Sequence, residues 1–592
     1  MGLLDLLRLL LSRLSVFSIV MVLMGCGGAV HKAGSLPDGA ESVAKPQQQF
    51  ALPFPEPETN LDQPLTPDIV YSILVAEIAA QRNAPSLAYS HYLYGSSLSG
   101  DAYAAEQATL IAIQMPDLER SLVAVERWVS LTPNELKARA AAVTLYIQAE
   151  QLAPALEHLQ ALMGLSEAFG QNGFMTAVRV VGRANNQQLA LQLMQRLAEQ
   201  YPDDQQAHYA VALVAMAVGE HDIAEQEVRG LLDTYPDRTR IRILFSNILY
   251  SQGDATGAEQ VLVQALEDDP DNRLLLTTYA RLLMESKKLK LSYEQFRKID
   301  RLTPEDHGVL YTLGILAIEL QLLPDAREYF QQAIASGLGK NQGDAEYFIG
   351  RTHEAEGQLE EAISWYEKII NGDYLIAAQA RIAALLVLSG DVDRARGLLQ
   401  QRRVSMPQYA EDLFLVESEM LQGLRLHQEV MLLSTIALDK YPKNPGLLYV
   451  RALSAASLDR LDILEQDLGH LLSQDPDNAD ALNALGYTLA DQTDRYQEAL
   501  EYIQKAIALK PDSPAILDSM GWVQYRLGNN DEALRYLQQA MDALPDAEIA
   551  AHLGEVLWVM GDQDQARKVW HESLEQNPDS EYLLEVMERF IP

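Results

Sequence analysis

The pattern of apolar and polar positions divides the chain into three zones. A short apolar run extends from Leu14 to Met24 and is broken only by Ser15 and Ser18. Residues 27–66 follow and show almost no helical periodicity. From about residue 67 to the end, apolar residues recur at the spacing of amphipathic helices. The pattern therefore predicts an all-α fold over 67–592, made of one helix after another.

Prolines mark a fixed period in this helical zone. Prolines that close helical segments are 34 residues apart in one series and 33 to 35 residues apart in a second. The series are Pro202, Pro236, Pro270 and Pro304, then Pro407, Pro442, Pro476, Pro511, Pro545 and Pro578. A repeat of this length is typical of a linear array of helical hairpins. The spacing predicts a single array of about 14–15 units over residues 67–592.

Small residues keep the same period as the prolines. Gly521 and Gly554 stand at matching positions of two units, where a small side chain lets the two helices of a hairpin approach closely. Gly528 and Gly561 are placed to end the first helix of their units, because such a turn often requires positive φ. Pro545 is placed to stop a second helix because proline cannot continue the hydrogen-bond ladder.

These positions and the 34-residue period resemble the tetratricopeptide repeat (TPR). The resemblance implies a TPR-type α-solenoid, a right-handed superhelix of about 14–15 helical hairpins. The pattern is weakest over 137–200, at Ser336–Lys340 and over 408–475, which predicts joints near 336–343 and 403–410. The last amphipathic segment, 581–590, is predicted to be a C-terminal cap helix.

The N-terminal zone has the features of a targeting segment. Arg8 and Arg13 precede the apolar run, and small residues surround Cys26. Such a sequence is typical of a secretory signal peptide, here residues 1–25. The apolar run is too short to span a bilayer.

The string from Leu23 to Cys26 resembles a bacterial lipobox. The resemblance implies cleavage before Cys26 and attachment of acyl chains such as palmitate to that residue. Gly27 follows in place of the aspartate that retains lipoproteins in the inner membrane, which implies an outer-membrane lipoprotein facing the periplasm. The alternative is an ordinary signal peptide with an incidental thiol.

Residues 26–66 are predicted to be a lipidated cysteine followed by a disordered tether. The segment contains six prolines between residues 37 and 64 and a run of three glutamines. Such a composition cannot bury enough apolar surface to offset the entropy of ordering. We expect a spacer that holds the helical array away from the membrane.

Composition excludes several classes of function. The 592-residue chain has 46 Lys+Arg against 83 Asp+Glu, a formal net charge of −37. This charge disfavours nucleic-acid binding and electrostatic adhesion to anionic membranes. The single cysteine excludes an internal disulfide and a cysteine-based metal site.

Residues that could carry catalysis are scattered. His353-Glu354 and His571-Glu572 each lack the second histidine of a zincin helix. The segment Gly337–Lys340 lacks the first glycine and the final Ser or Thr of a phosphate loop. We therefore expect no enzyme, no metal, no cofactor and no small-molecule substrate. An enzyme with a site in 137–200 or 408–475 is the remaining alternative.

The resemblance to TPR proteins also implies a protein-binding groove lined by the first helix of each unit. Trp, Tyr and Arg are the residue types that dominate binding hot spots. The positions that match this face are Tyr209, Tyr311, Tyr347, Arg351, Asn483, Tyr487, Asp518, Trp522, Tyr525, Arg526, Glu555 and Trp558. The alternative is that some of these residues fill the core between units.

A long TPR array behind a lipobox is similar to the periplasmic lipoprotein adaptors that recruit a carboxy-terminal-processing protease to cell-wall hydrolases. This similarity implies a scaffold that raises the local concentration of protease and substrate. The alternative within the same class is a pilotin-like assembly factor for a secretion, pilus or exopolysaccharide export machine.

Overall fold

The computed structural model describes residues 66–578 and 580–591. The signal peptide, Cys26 and the tether up to residue 65 lie outside the described residues, and the predictions made for them stay predictions. Within the described ranges every regular element is a helix, and 31 of these are α-helices. The all-α fold predicted from the sequence is confirmed.

The chain divides into two compact units between Pro304 and Glu305. The N-terminal unit contains fourteen described α-helices that form seven hairpins. These are α1 (Pro67–Gln81), α2 (Pro85–Ser99), α3 (Ala102–Ile113), α4 (Leu118–Leu131), α5 (Leu136–Gln148), α6 (Leu152–Ala168), α7 (Gly173–Val181), α8 (Gln187–Ala198), α9 (Gln205–Ala217), α10 (His221–Thr234), α11 (Thr239–Ser251), α12 (Ala255–Asp268), α13 (Arg273–Glu285) and α14 (Leu289–Leu302).

The C-terminal unit contains eight further hairpins and a final single helix. Its α-helices are α15 (His307–Glu319), α16 (Leu323–Ala335), α17 (Gln342–Ala355), α18 (Leu359–Tyr366), α19 (Leu375–Leu388), α20 (Val392–Ser405), α21 (Ala410–Gly423), α22 (His427–Lys440), α23 (Pro445–Ala456), α24 (Leu461–Gln474), α25 (Ala479–Gln492), α26 (Tyr496–Leu509), α27 (Pro514–Arg526), α28 (Asn530–Ala543), α29 (Ala547–Val559), α30 (Gln563–Gln576) and α31 (Glu581–Phe590).

Tight packing inside each hairpin depends on the small residues identified from the sequence. A Cβ atom added to Gly521 would lie 2.5 Å from Leu537, and one added to Gly554 would lie 2.0 Å from the indole nitrogen of Trp570. In both cases the contact is between the first and the second helix of one hairpin. A larger side chain at these positions would therefore force the helices apart.

The first helices of the last two hairpins end at the glycines that the sequence predicted. Gly528 and Gly561 have φ values of +82° and +94°, so both occupy the left-handed region that glycine adopts without strain. The side chains of Asp254, Asp391 and Asp562 cap α12, α20 and α30 by accepting a hydrogen bond from a backbone N–H of the first turn. These caps satisfy backbone donors that have no partner inside the helix.

The weakly patterned part of the sequence is helical as well. Arg425 and Asp459 stand where other units have the turn glycine, and the structure holds them at φ values of +58° and +57°. The left-handed turn is therefore preserved although the residue that favours it is absent. Two 3-10 helices, Gly339–Asn341 and Pro407–Tyr409, lie at the predicted joints. The joints themselves stay predictions.

The core of each unit runs along the array rather than around one centre. In the N-terminal unit, a single cluster of buried apolar residues extends from Leu136 to Leu282. In the C-terminal unit, one cluster extends from Ala452 to Val523, and another extends from Ala533 to Val586. Neighbouring hairpins bury each other's apolar faces, so stability is shared between units and their interfaces. Of the helices described between residues 66 and 591, none combines the length and the apolar character needed to cross a membrane.

Candidate protein-binding site

The first helices of consecutive hairpins pack against one another in the C-terminal unit. The contacts α25 with α27, α27 with α29 and α29 with α31 form a continuous row of this kind. Eight of the predicted groove residues lie on the helices of this row, and the structure brings six of them together. They are Tyr487, Asp518, Trp522, Tyr525, Arg526 and Glu555.

The centre of this row is His552, whose side chain is fully buried. Its Nδ1 atom lies 2.9 Å and 3.0 Å from the two carboxylate oxygens of Asp518, and its Nε2 atom lies 3.0 Å from the Tyr582 hydroxyl. The imidazole stacks on Trp522 with the ring centroids 4.2 Å apart. Tyr487 donates a hydrogen bond of 2.9 Å to Glu548 nearby. His552 on α29 thus links the neighbouring helices α27 and α31 of this row.

A second set of polar contacts lies beside His552. Glu555 accepts hydrogen bonds from the Tyr525 hydroxyl at 3.1 Å and from Arg589 at 2.8 Å. Burial and the Glu555 charge raise the pKa of Tyr525 to about 12, so the phenol stays protonated and can donate. Arg526 donates to the backbone oxygen of Asp491 at 3.1 Å and to the Tyr496 hydroxyl at 2.8 Å. Each of these side chains is held in one orientation.

Tyr525, Arg526, Glu555 and Arg589 line a cleft of about 940 Å³, which we call the C-terminal cleft. Its walls combine aromatic rings with charged ends, a composition suited to protein recognition. The lining residues are Asp491, Trp522, Tyr525, Arg526, Gly528, Asn530, Glu555, Val559, Tyr582, Glu585, Val586 and Arg589. Carboxylates outnumber arginines along this wall.

Three other predicted groove residues form a separate cluster. Tyr311, Tyr347 and Arg351 lie on α15 and α17, together with the rings of Phe348 and Tyr374. Tyr347 stacks on Tyr374 with centroids 4.5 Å apart and is only 2% exposed. Arg351 is half-buried. We call this group the Tyr347 cluster.

The remaining three predicted residues lie apart from both clusters. Tyr209 is half-buried against the core of the N-terminal unit, and burial raises its pKa. Trp558 stacks on Trp570 at 5.7 Å and packs against Phe590 at 5.9 Å. Asn483 has a buried amide oxygen without a hydrogen-bond partner. The surroundings of Tyr209 and Trp558 are those of residues that fill a core, and binding by any of the twelve residues stays a prediction.

Sequence reasoning missed His552, Tyr582 and Arg589. Asp518 and His552 are separated by 34 residues, as are Glu555 and Arg589. The signal that could have found them is therefore complementary charge at a spacing of one repeat.

The buried histidine predicts that the stability of the C-terminal unit depends on pH. Burial alone would lower the pKa of His552, but the carboxylates of Asp518, Glu548 and Asp491 outweigh burial and raise it above its usual value. A group whose pKa is raised by folding stabilises the fold fully below its unfolded pKa, and this contribution is lost as the pH rises through the folded pKa. We expect the hydrogen-exchange protection of α29 and α31 to fall as the pH rises from 6 to 9, about the range of a perturbed histidine.

The matched variant for this pH effect is His552→Gln, which removes the titrating group but retains hydrogen bonding. The loss of protection with pH should be much smaller in this variant. His208 also has a raised pKa but belongs to the N-terminal unit, so protection of α29 and α31 in His208→Gln should vary with pH as in the parent protein. An equal pH dependence in His552→Gln and in the parent protein would exclude His552 as the cause.

No group of His, Cys, Asp and Glu suited to a metal ion occurs among the residues between 66 and 591 that the structure describes. The pairs formed by Asp518 with His552 and by Glu555 with Arg589 satisfy each other's charges. The C-terminal cleft offers contact surface and hydrogen-bonding groups that are held in fixed orientations.

Comparison with known proteins identifies relatives along most of the chain. Models of the tetratricopeptide repeat match residues 175–239, 249–299, 311–379, 477–546 and 519–581. A TPR repeat-containing protein of Pseudomonas aeruginosa is 32% identical over 567 residues, which cover 92% of this chain and 90% of that protein.

Two solved structures also align with parts of the chain. A thermophilic TPR protein of Thermus thermophilus is 26% identical, with a TM-score of 0.28, and the alignment covers 31% of this chain and 97% of that one. A tetratricopeptide repeat protein of Parabacteroides merdae is 14% identical, with a TM-score of 0.33 and coverage of 48% and 99%.

Proposed function

Because this chain belongs to the family of TPR repeat-containing proteins, we propose that it is a non-enzymatic adaptor anchored to the outer membrane through Cys26. In this role it recruits a periplasmic carboxy-terminal-processing protease and presents cell-wall hydrolases to it. TPR arrays generally act in protein–protein interaction, and the adaptor role extends that general function to one class of partner. The repeats provide binding surface, and the lipid anchor fixes where the partners meet.

The observation that carries this proposal is the C-terminal cleft. Tyr525 and Tyr582 offer rigid aromatic surface with polar ends, the buried Trp522 lies behind them, and Arg526 is held by two hydrogen bonds. Side chains that are already ordered lose little conformational entropy when a partner binds. The cleft therefore has the composition and the order of a protein-binding hot spot.

The anchor is supported by the sequence of the first 27 residues. A lipobox cysteine followed by glycine favours an acylated protein at the outer membrane, and an adaptor that raises local concentration needs such a fixed position. Acyl chains contribute about 0.8 kcal/mol for each buried CH₂, so a multiply acylated cysteine would hold the protein at the membrane.

The test is affinity purification of the full lipidated protein from membranes, followed by mass spectrometry. We expect to recover a serine protease of the carboxy-terminal-processing class together with a murein hydrolase. Tyr525→Ala should reduce recovery of the partner that binds the C-terminal cleft by about 30-fold, the effect of losing a hot-spot residue worth about 2 kcal/mol.

The control is Tyr502→Ala. Tyr502 is half-buried like Tyr525, but it lies on α26, a second helix, outside the residues that line the cleft. Cys26→Ser should move the protein from the membrane to the soluble fraction. Recovery of a secretin or export barrel without protease would instead support the assembly-factor alternative, and a membrane-bound Cys26→Ser protein would contradict the anchor.

A further inference from the structure

The first hairpin carries an apolar face that no other hairpin within the described residues covers. Seven of its large apolar or aromatic side chains are between 38% and 63% exposed. They are Val70, Tyr71, Leu74 and Ile78 on α1, and Leu87, Tyr94 and Leu98 on α2. The Tyr71 ring meets the His91 ring of α2 edge-on, with the centroids 6.0 Å apart, and so joins the two helices. We call the seven residues the N-terminal face.

The composition of α1 shows that this helix needs cover on two sides. The face residues of α1 recur every three or four positions and form a stripe along one side of the helix. The opposite side, which includes Ile69, Ala76 and Ala79, is buried, and the main contact of α1 is with α2. Only Asp68 and Glu77 are charged in the whole helix. A helix that is apolar on all sides is normally buried, so a second cover is expected besides α2.

The last helix of the chain differs from the first hairpin in this respect. On α31, Glu581, Glu585 and Glu588 are exposed, which gives the polar outer surface that a terminal repeat needs for solubility. None of the seven residues of the N-terminal face is charged. In the second hairpin, α3 packs on the preceding helix α2 as well as on α4. The first hairpin has no such predecessor among the described residues.

The sequence before α1, outside the described residues, contains side chains suited to this place. Phe50, Leu52 and Phe54 alternate there, next to three prolines between residues 53 and 57. The two phenylalanines are the only aromatic residues of the predicted tether, 26–66. Proline disfavours a helix and favours an extended, polyproline-type backbone. We call residues 50–54 the Phe50–Phe54 segment.

The N-terminal face has the composition that receives such a segment. Extended proline-rich segments dock in grooves lined by aromatic side chains, and their preformed backbone loses little entropy on binding. Tyr71 on α1 and Tyr94 on α2 are 63% and 54% exposed and supply these aromatic walls. The apolar side chains between them can then receive the two phenylalanine rings.

The connection to α1 is long enough for this contact. The Thr66 side chain accepts a hydrogen bond of 3.4 Å from the Ile69 N–H, so the chain enters the hairpin at the start of α1. The roughly twelve residues between Phe54 and Thr66 can span about 37 Å at about 3.1 Å each. Since α1 has 15 residues, it is about 22 Å long. The Phe50–Phe54 segment therefore reaches every part of the N-terminal face.

We propose that the Phe50–Phe54 segment docks on the N-terminal face and covers the first hairpin in place of a preceding one. Docking removes apolar surface of both the segment and the face from water. This gain offsets the entropy of ordering a short segment, which the tether by itself could not do. Residues 27–49 remain as the spacer between Cys26 and the docked segment.

A segment of the same chain has an advantage over a second copy or a separate partner. The short connection gives it an effective concentration on the order of millimolar at the face, well above that of other molecules in dilute solution. The face also has no charge that would select a charged partner. The contact lies within one chain and goes beyond the proposed adaptor role, which does not depend on it.

The test joins the segment to the face by a disulfide in the full chain with Cys26→Ser, which leaves no natural cysteine. Ala51→Cys places one thiol in the segment and keeps its apolar side chains. Ser90→Cys places the other on α2, where this exposed serine lies between Leu87 and Tyr94 in the sequence. We expect a disulfide within one chain in dilute solution, seen as a faster band on a non-reducing gel.

Close position in the sequence could by itself bring the two thiols together, so the control variants keep both cysteines. Phe50→Ser with Phe54→Ser should slow disulfide formation at least tenfold, because the segment loses the rings that hold it on the face. Leu36→Ser with Val43→Ser removes apolar side chains from the spacer instead. The rate in this control should equal that of the two-cysteine parent.

The face is tested by a matched pair of leucines. Leu74 on α1 is 56% exposed, and Leu432 on α22 of the other unit is 67% exposed. Leu74→Ser should slow disulfide formation as the phenylalanine changes do, and Leu432→Ser should not. Hydrogen exchange without the added cysteines gives an independent readout. Phe50→Ser with Phe54→Ser should lower the protection of α1 and α2 and leave that of α31 unchanged.

Equal rates of disulfide formation with and without the two phenylalanines would overturn the proposal. Unchanged hydrogen exchange of α1 and α2 would overturn it as well. A disulfide that forms mainly between two chains would show that a second copy covers the face, and would also reject docking within one chain. Because protease recovery is measured separately, its failure would leave a positive disulfide result standing.

Discussion

In the Trp570→Ala variant, the last hairpin of the chain should unfold far more easily than in the parent protein. Trp570 on α30 is completely buried. Its ring stacks on Trp558 at 5.7 Å and on Phe590 at 6.0 Å, so it joins α29, α30 and α31. Removing a buried tryptophan costs about 3–5 kcal/mol, because transfer energy is lost and a cavity remains. Hydrogen exchange of α29 to α31 would measure this local free energy of unfolding.

Gly554 provides the check on this explanation. Its absent side chain leaves the space in which the Trp570 ring lies, so Gly554→Ala should destabilise the parent protein by about 1–3 kcal/mol through overpacking. In the Trp570→Ala background the same change should be neutral or stabilising, because the cavity accepts a methyl group. Gly469→Ala is the matched control, since nothing lies within 4 Å of its Cβ position and alanine favours helix there. Equal effects of Gly554→Ala in the two backgrounds would contradict the proposed contact.

Asp467→Asn should produce the second large loss of stability. Arg451 on α23 donates to Asp467 on α24 through two parallel hydrogen bonds of 2.7 Å each. The Asp467 side chain is 2% exposed and the Arg451 side chain 17% exposed. Removing one charge leaves the other buried without its partner, which costs about 3–5 kcal/mol. Hydrogen exchange of α23 and α24 should show this loss.

The control for Asp467 is an exposed pair in a neighbouring hairpin. Lys510 contacts Asp480 at 2.9 Å, but their side chains are 51% and 62% exposed, so Asp480→Asn should cost less than about 1 kcal/mol. Replacing both members of the buried pair, as in Arg451→Met with Asp467→Leu, should recover much of the stability because no unpaired charge remains. If Asp467→Asn and Asp480→Asn have the same small effect, the burial argument fails.

The repeat architecture could be predicted from sequence because the residues that end its helices act through local backbone chemistry. Positive φ at Gly528 and the end of α28 before Pro545 follow from properties of single residues. Arg425 and Asp459 could not be recognised as turn residues in this way, because packing of the flanking helices holds them in a conformation that their own side chains disfavour.

The side-chain contacts of the candidate site were harder to predict from the sequence, for a related reason. The position of Trp522 on the first-helix face follows from the repeat, but its contact with His552 depends on how two neighbouring hairpins are rotated against each other. That rotation is set by side-chain packing at the interface and is not encoded by a single residue. For the same reason, the contact of Arg381 on α19 with Glu354 on α17 was not anticipated from sequence.

Contact between neighbouring hairpins also determines the order in which the polypeptide can fold. Nearly all of the packed helix pairs described between residues 66 and 591 are adjacent in the chain or one helix apart. Contacts over short sequence separations close small loops and form quickly. Arg425 and Glu581 are an exception, since they form an ion pair across 156 residues, but both side chains are largely exposed and the pair adds at most about 1 kcal/mol. Each hairpin can therefore pack onto its predecessor as the chain emerges from its N-terminus, without waiting for the C-terminus.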